Sequence, residues 1–378
     1  MSHPGAVVIV GDSIAGVTAA RELRALGHDG RITLVGADRH GAYSRPPLSK
    51  SVLKDDSADS TLSYRLDGLD VEEVRSSATN ADLDQKRIAT ADGHLVDYDA
   101  LIIATGADAR RLAEPGQRGE FVLRTLDDAL ALRTRLDTAD SAIVVGAGFL
   151  GMEVASACVA RNIAVTVVDV DRPLERILGP YLSTLVTDRA ERSGIRFIRT
   201  PGHVSLSGNP VRGIALPDGT ELSADLVVSC IGETPNTAWL QGTGLADHLG
   251  IGIDDTCATA FPDVYAAGDV AYLRKAANRS AFWSNAVAQG RVAAASALGH
   301  TPTSAPSDDY FWTEILGTSI KVLGSLPLRG APSHIDGDPA AGSALLIWNR
   351  VSESPTLVAY GIRKPVTRLR TMAASLTL

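Results

Sequence analysis

Ala6-Val-Val-Ile-Val-Gly-Asp-Ser-Ile-Ala-Gly16 and Ser141-Ala-Ile-Val-Val-Gly-Ala-Gly-Phe-Leu-Gly151 decide the fold of this 378-residue chain. Each begins as a β-branched apolar run, meets a glycine-rich turn and opens an Ala-rich stretch with helical character. Gly11, Ser13 and Gly16 mark the first turn; Gly146, Gly148 and Gly151 mark the second. A helix that starts in such a turn offers unpaired backbone N–H groups and the positive end of its dipole, which suits a pyrophosphate. One such turn is weak evidence. Two in strand–turn–helix context predict two dinucleotides bound by one chain, as in hydride exchange between a flavin and a nicotinamide.

Each unit continues as expected. Arg31-Ile-Thr-Leu-Val-Gly36 and Ala164-Val-Thr-Val-Val168 read as second strands, followed by Asp38 in one case and by Asp169 and Asp171 in the other. An acid about 20 residues beyond the glycines accepts from ribose hydroxyls. Otherwise these are solvated loop acids. At the second site an acid also repels a 2′-phosphate, which favours NADH over NADPH, while the adjacent Arg172 is of the residue type that accepts one.

Composition narrows the function class. At 378 residues the chain suits two to three domains, with ample core at 45% hydrophobic, and the net charge of −8 disfavours nucleic acid or an anionic membrane as partner. No apolar run has the length of a membrane span, and the first residues enter a strand directly without a signal-peptide pattern, so a cytoplasmic protein is expected. Cys158, Cys230 and Cys257 are isolated, with no Cys-x-x-Cys pair. That excludes dithiol chemistry beside the flavin and leaves no metal-ligand spacing. Cys158 and Cys230 read as packing residues and Cys257, in a polar stretch, as a surface thiol.

Along the chain, Tyr43-Ser-Arg-Pro-Pro-Leu-Ser-Lys50 is a compact basic turn at which a helix begins, and residues 51 to 70 are polar and irregular. An Asp-Gly hairpin turn is centred on Asp92-Gly93, and Tyr98 to Gly106 is a buried strand ending in a small-residue corner. Leu123 to Arg133 reads as a helix, Ala224 to Ile231 as a second buried strand, and Val264 to Val270 as a strand ending on Gly268-Asp269. Residues 301 to 309 link to a C-terminal segment with strand-like runs at Ser319 to Leu323 and Ala344 to Trp348.

Taken together, these stretches make the chain resemble, nearly end to end, the FAD-dependent NAD(P)H:ferredoxin reductases of oxygenase systems, the group typified by putidaredoxin reductase and biphenyl dioxygenase ferredoxin reductase. The resemblance rests on the first glycine turn, Arg45-Pro-Pro-Leu-Ser-Lys50, Ala104-Thr-Gly106, Leu123-Arg-Thr125, the second turn with Glu153, Gly232-x-x-Pro-Asn236, Ala267-Gly-Asp269 and Tyr310-Phe-Trp312. It implies an α/β fold with two Rossmann-like dinucleotide-binding domains of the glutathione-reductase type and a small C-terminal α+β domain. The expected boundaries are 1–109 and 235–303 for a split FAD domain, 110–234 for an inserted NAD domain and 304–378 for a C-terminal interface domain. Apoptosis-inducing factor shares this fold, so a regulatory flavoprotein with slow electron transfer stands as the alternative function.

The resemblance also implies roles. Gly11, Ser13, Ala15 and Gly16 lie under the FAD pyrophosphate, Asp38 holds the adenosine ribose, and Arg45 and Lys50 flank the cofactor, with Lys50 near flavin N5. Asn80 meets adenine through its backbone, Thr105 and Gly106 form the close-approach corner, Arg124 meets phosphate, Asp269 binds the ribityl chain, and Trp283 passes the pyrimidine edge. Gly148, Leu150 and Gly151 cradle the nicotinamide dinucleotide, Gly146, Asp169 and Gly232 are further cofactor-binding candidates, and Glu153 pairs with Lys50 and orients the nicotinamide. Lys50 and Glu153 are the candidate catalytic pair; the alternative is an ordinary ion pair between domains. Trp283 and Trp312 either relay single electrons or simply pack. Departures from the family pattern are Ser13 in place of the middle glycine, Ala281 in place of an acid, and Thr313-Glu-Ile315 in place of Ser-Asp-Gln. The implied activity is NADH-dependent reduction of an iron–sulfur ferredoxin that serves a cytochrome P450 or ring-hydroxylating oxygenase. Arg274, Lys275 and Arg279 are a candidate docking patch for it, or a solvated loop.

Overall fold

The computed structural model describes residues 4–54, 63–350 and 353–376. They form two compact units; the first comprises the described residues of Met1–Arg45, Ser60–Asp108 and Glu233–Asp308. Its centre is a five-stranded sheet in the order Val264–Ala266, Ala100–Ile103, Ala6–Val10, Arg31–Val35, Val71–Val74. Every neighbouring pair is parallel. The strand Ala6–Val10 lies in the middle because Val7 to Val10 carry branched apolar side chains on both faces, and all four are buried. Helix Ile14–Ala25 covers the sheet and packs along helix Trp283–Ala297. Small side chains permit that closeness: a Cβ on Gly290 would lie 2.5 Å from the Ala15 carbonyl oxygen. The Asp-Gly turn joins antiparallel strands Arg87–Thr90 and Leu95–Asp97, as its sequence predicts. Thr105 and Asn236 interlock, the Thr105 hydroxyl donating to the Asn236 carbonyl (2.9 Å) and Asn236 Nδ2 to that of Thr105 (3.1 Å).

The second unit comprises the described residues of Pro46–Asp59, Ala109–Gly232 and Asp309–Leu378. Its parallel sheet runs Arg196–Arg199, Ala164–Asp169, Ser141–Val145, Leu226–Ser229, Glu120–Phe121. Helix Phe149–Ala160 leaves the second glycine turn. Helix Leu126–Leu136 begins later than the sequence reading, because Thr125 caps it: the Thr125 hydroxyl accepts from the Asp128 N–H and the Asp128 carboxylate accepts from the Thr125 N–H. The turn Pro46–Ser49 and helix Ser51–Lys54 join this unit through Arg161, which donates to the Leu53 carbonyl at 2.7 Å, and Arg133, which donates to that of Val52 at 3.3 Å. The remainder of the stretch read as irregular includes residues 55–62, which lie outside the described residues.

The C-terminal runs form a five-stranded antiparallel sheet, ordered Tyr310–Ile315, Thr318–Leu323, Glu353–Tyr360, Ser343–Arg350, His334–Asp338. Helix Val366–Leu376 covers one face through the fully buried Leu369. Cys257 corrects the sequence reading. It is not a surface thiol but fully buried, its Sγ directed at the Gln289 carbonyl at 3.6 Å, because a polar turn doubles back and seals it inside.

The glycine turns make a stability prediction. A Cβ on Gly146 (φ +106°) would lie 2.2 Å from the Cys230 carbonyl oxygen, whereas one on Gly148 would meet nothing within 4 Å. Gly146→Ala is expected to lose about 2–4 kcal/mol in urea unfolding, and Gly148→Ala about 0.5 kcal/mol or less. Equal losses would contradict this geometry.

Candidate functional site

Both fingerprint helices start uncapped. Ser13 and Gly148 are the cap residues, neither start receives a side-chain cap, and neither first turn holds an acid. Helix starts leave several N–H groups without intrahelical partners, and here no side chain competes for them. Gly11 (φ +117°) lets the first turn press against the next strand, since a Cβ there would lie 2.1 Å from the Ala104 carbonyl oxygen. The open space over Gly148 is where a ligand's phosphate can reach backbone. These features fit a dinucleotide in each unit.

In the first unit the predicted residues Ser13, Asp38 and Arg45 come together. Arg45 Nε donates to the Ser13 hydroxyl at 3.2 Å, its Nη2 lies 4.0 Å from Asp38, and its guanidinium stands 5.3 Å from the Tyr43 ring centroid. The Tyr43 hydroxyl donates to Asp38 at 2.7 Å, a partner the sequence reading did not assign. Ala15 and Gly16 are buried beneath the turn. Thr105 and Gly106 form the corner with Asn236, whose N–H donates to the Gly106 carbonyl at 3.0 Å. Asn80 is exposed beside a bulge in its strand. Asp269 is partly buried and its carbonyl accepts from Arg279 at 2.9 Å, while Trp283 is exposed and its indole N–H donates to the Tyr64 hydroxyl at 3.3 Å.

Asp12 was also missed. It lies inside the first glycine turn, with its carboxylate against Gly36 and 3.7 Å from Arg75. Burial pushes its carboxyl above the usual carboxylate range, and the charge of Asp38 adds to the effect.

In the second unit Glu153 is the centre. It sits one turn into helix Phe149–Ala160 and is 5% exposed, yet both carboxylate oxygens are satisfied. One accepts from Lys50 Nζ at 2.8 Å and from the Ser49 hydroxyl; the other accepts from the Thr313 hydroxyl at 2.5 Å. Pairing of Lys50 with Glu153 was anticipated; Ser49 and Thr313 were not assigned. Thr313, one of the departures from the family pattern, projects from strand Tyr310–Ile315 on the same side as Phe311, whose ring lies 4.6 Å from that of Phe149. Ser156, one turn beyond Glu153, accepts from the Leu316 N–H at 3.0 Å. Tyr310 and Trp312 point to the other side of the strand and stack with centroids 5.9 Å apart.

Asp169, expected from the sequence to meet a ribose, is already engaged: one oxygen accepts from the Ala147 N–H in the glycine turn at 2.6 Å, the other from the Val170 N–H at 2.6 Å. Gly146 and Gly151 close the turn, Leu150 is half-buried beside it, Gly232 is exposed, and Arg124 precedes the Thr125 cap with its N–H on Asp128. Arg274, Lys275 and Arg279 do not form an unpaired basic patch. They lie 3.8, 2.5 and 3.2 Å from Asp254, Asp255 and Glu233 respectively, so local acids offset their charge.

Asp12 gives a pH prediction. Because its pKa is raised in the folded state, there is no penalty at low pH, where the carboxyl is neutral folded or unfolded; stability falls as pH rises through the folded value. Asp12→Asn is therefore expected to raise the melting temperature by about 2 °C at pH 7 and not at pH 4. A gain of equal size at both pH values would contradict the assignment.

Comparison with known proteins agrees with this geometry. The pyridine nucleotide-disulphide oxidoreductase family matches residues 5–290. The chain is 35% identical over 353 residues to the ferredoxin–NAD(+) reductase component of the biphenyl dioxygenase system of Paraburkholderia xenovorans, covering 90% of this chain and 86% of that one. It is 35% identical to a rubredoxin–NAD(+) reductase of Pseudomonas putida, covering 85% and 87%. The crystal structure of the ferredoxin reductase for the CYP199A2 system of Rhodopseudomonas palustris superimposes with a TM-score of 0.85 at 28% identity, covering 94% of this chain and 91% of that chain. With two glycine-turn helices, each on its own parallel sheet, and these end-to-end likenesses, the chain belongs to the pyridine nucleotide-disulphide oxidoreductase family.

Proposed function

We propose that the protein is an NADH-dependent ferredoxin reductase that supplies electrons to an oxygenase, a cytochrome P450 or a ring-hydroxylating enzyme, in the cytoplasm. The observation that carries this reading is the pair of uncapped glycine-turn helices in one chain that also joins Lys50 to the buried Glu153 at 2.8 Å. Bound here, FAD would supply the redox chemistry, as an acceptor of hydride from NADH and a donor of single electrons.

Hydride transfer needs no general base; it needs ordered rings and compensation of the charge that develops. In this reading Lys50 supplies the compensating cation. Glu153 fixes its position and is in turn fixed by Ser49 and Thr313. The first turn, with Ser13 and Arg45, holds the FAD pyrophosphate, and Asp38 its ribose. Gly146, Gly148 and Gly151 hold the pyrophosphate of NADH. The isolated cysteines support an external acceptor, because no dithiol is present to take the electrons within the chain. Cys158 is buried, and burial pushes its thiol up to about 12, far from reactive thiolate.

The test is steady-state turnover of the FAD-loaded protein with NADH, a [2Fe–2S] ferredoxin and cytochrome c as terminal acceptor, with rubredoxin as the comparison carrier. The expected result is cytochrome c reduction accelerated about tenfold or more by the ferredoxin over either no carrier or rubredoxin. No acceleration by the ferredoxin favours the regulatory-flavoprotein alternative, and acceleration by rubredoxin alone corrects the acceptor.

A further inference from the structure

The turn after strand Ala164–Asp169 holds an ion-pair arrangement around Arg176, a residue given no role above. Arg176, in the first turn of helix Glu175–Arg192, reaches back across it. Its Nε donates to Asp171 Oδ2 at 2.6 Å and its Nη2 lies 3.1 Å from Asp169 Oδ1. That same Oδ1 also accepts from the Asp171 N–H at 3.2 Å, and the other Asp169 oxygen is held by the Ala147 N–H of the glycine turn. A continuous chain therefore runs from the turn, through Asp169, to Arg176 and Asp171. Asp169 is 16% exposed at its side chain and fixed by backbone; Arg176, at 66%, is open to an arriving ligand except where the carboxylates hold it.

We propose that Asp171 determines which nicotinamide dinucleotide is accepted: by clamping Arg176 against the Asp169 carboxylate, it denies that guanidinium to a 2′-phosphate and selects NADH. The proposal rests on the reading of the second fingerprint as the nicotinamide-dinucleotide site. A 2′-phosphate approaching the adenosine ribose is best met by the planar fork of an arginine. Here two carboxylates already occupy that fork and offset its charge, and both repel a phosphate. Loss of Asp171 frees Nε and makes the local charge more positive by one, while Asp169 keeps its hold on the glycine turn. An exposed ion pair of this kind contributes little to folding. Its consequence is therefore to be read in ligand choice, and an Asp171 variant remains foldable.

The experiment compares wild type, Asp171→Ser and Asp171→Ser/Arg176→Ala, all FAD-loaded. Calorimetry gives the affinities for 2′,5′-ADP and 5′-AMP, and initial rates give kcat/KM for NADPH and NADH. Asp171→Ser is expected to shift both the 2′,5′-ADP-to-5′-AMP affinity ratio and the NADPH-to-NADH ratio about tenfold toward the 2′-phosphate. The double variant is expected to lose that gain, which assigns it to Arg176. Unchanged ratios in Asp171→Ser overturn the proposal. So does a gain that survives in the double variant, since Arg172 or charge relief alone would then explain it. If wild type binds neither 5′-AMP nor NADH, the nicotinamide-site reading itself fails and the proposal falls with it.

Discussion

A buried carboxylate organises the second unit. Taking Glu153 out of water costs several kcal/mol unless its oxygens are met by a countercharge and well-placed donors. Lys50, Ser49 and Thr313 meet that demand from two directions in the chain, the turn Pro46–Ser49 with the residue after it and the strand Tyr310–Ile315. The helix can present the carboxylate there only if both segments are in place. Phe149, Glu153 and Ser156 recur at the spacing of one helix face, and Phe311, Thr313 and Leu316 answer them. Helix, strand and turn are thus tied into one unit by an interaction whose loss would leave a charge unpaired.

The same tie links structure to chemistry. A lysine held by a fully engaged carboxylate is an ordered cation, whereas a free surface lysine samples many rotamers and loses entropy on ordering. The substitution at Thr313 keeps a hydroxyl where the family pattern has Ser, so the donor to Glu153 survives the departure. The neighbouring Glu314 lies at the surface and pairs with Lys54 at 3.1 Å. The family is described by disulphide chemistry, but this chain carries only isolated cysteines, and the two fully covered ones, Cys158 and Cys257, are packing residues. What it shares with that family is the pair of glycine-turn helices on parallel sheets.

Much of this was legible in the sequence, for local reasons. The strand–turn–helix units, the Asp-Gly hairpin and the C-terminal strands are set by periodicity and turn chemistry within a few neighbours. Pairing of Lys50 with Glu153 was legible through family resemblance alone. Ser49 and Thr313 were not, because each matters through its own contact with Glu153, 104 and 160 positions away respectively. The basic residues Arg274, Lys275 and Arg279 read as a patch because a charge count ignores the acids that folding brings alongside. Cys257 read as exposed because its neighbours are polar, although a tight turn buries it. Arg176 escaped notice because its role depends on how a helix start folds back over the preceding strand.

The most direct test of the central claim is anaerobic stopped-flow mixing of NADH with the FAD-loaded protein, wild type and Glu153→Gln, following the flavin band. Rapid bleaching of wild type with a long-wavelength charge-transfer band is expected, and bleaching slowed about tenfold with a weaker band in Glu153→Gln. A wild-type flavin that stays oxidised on this timescale would contradict the assignment as a reductase. Equal rates and bands in the two proteins would contradict the role given to the Lys50–Glu153 pair.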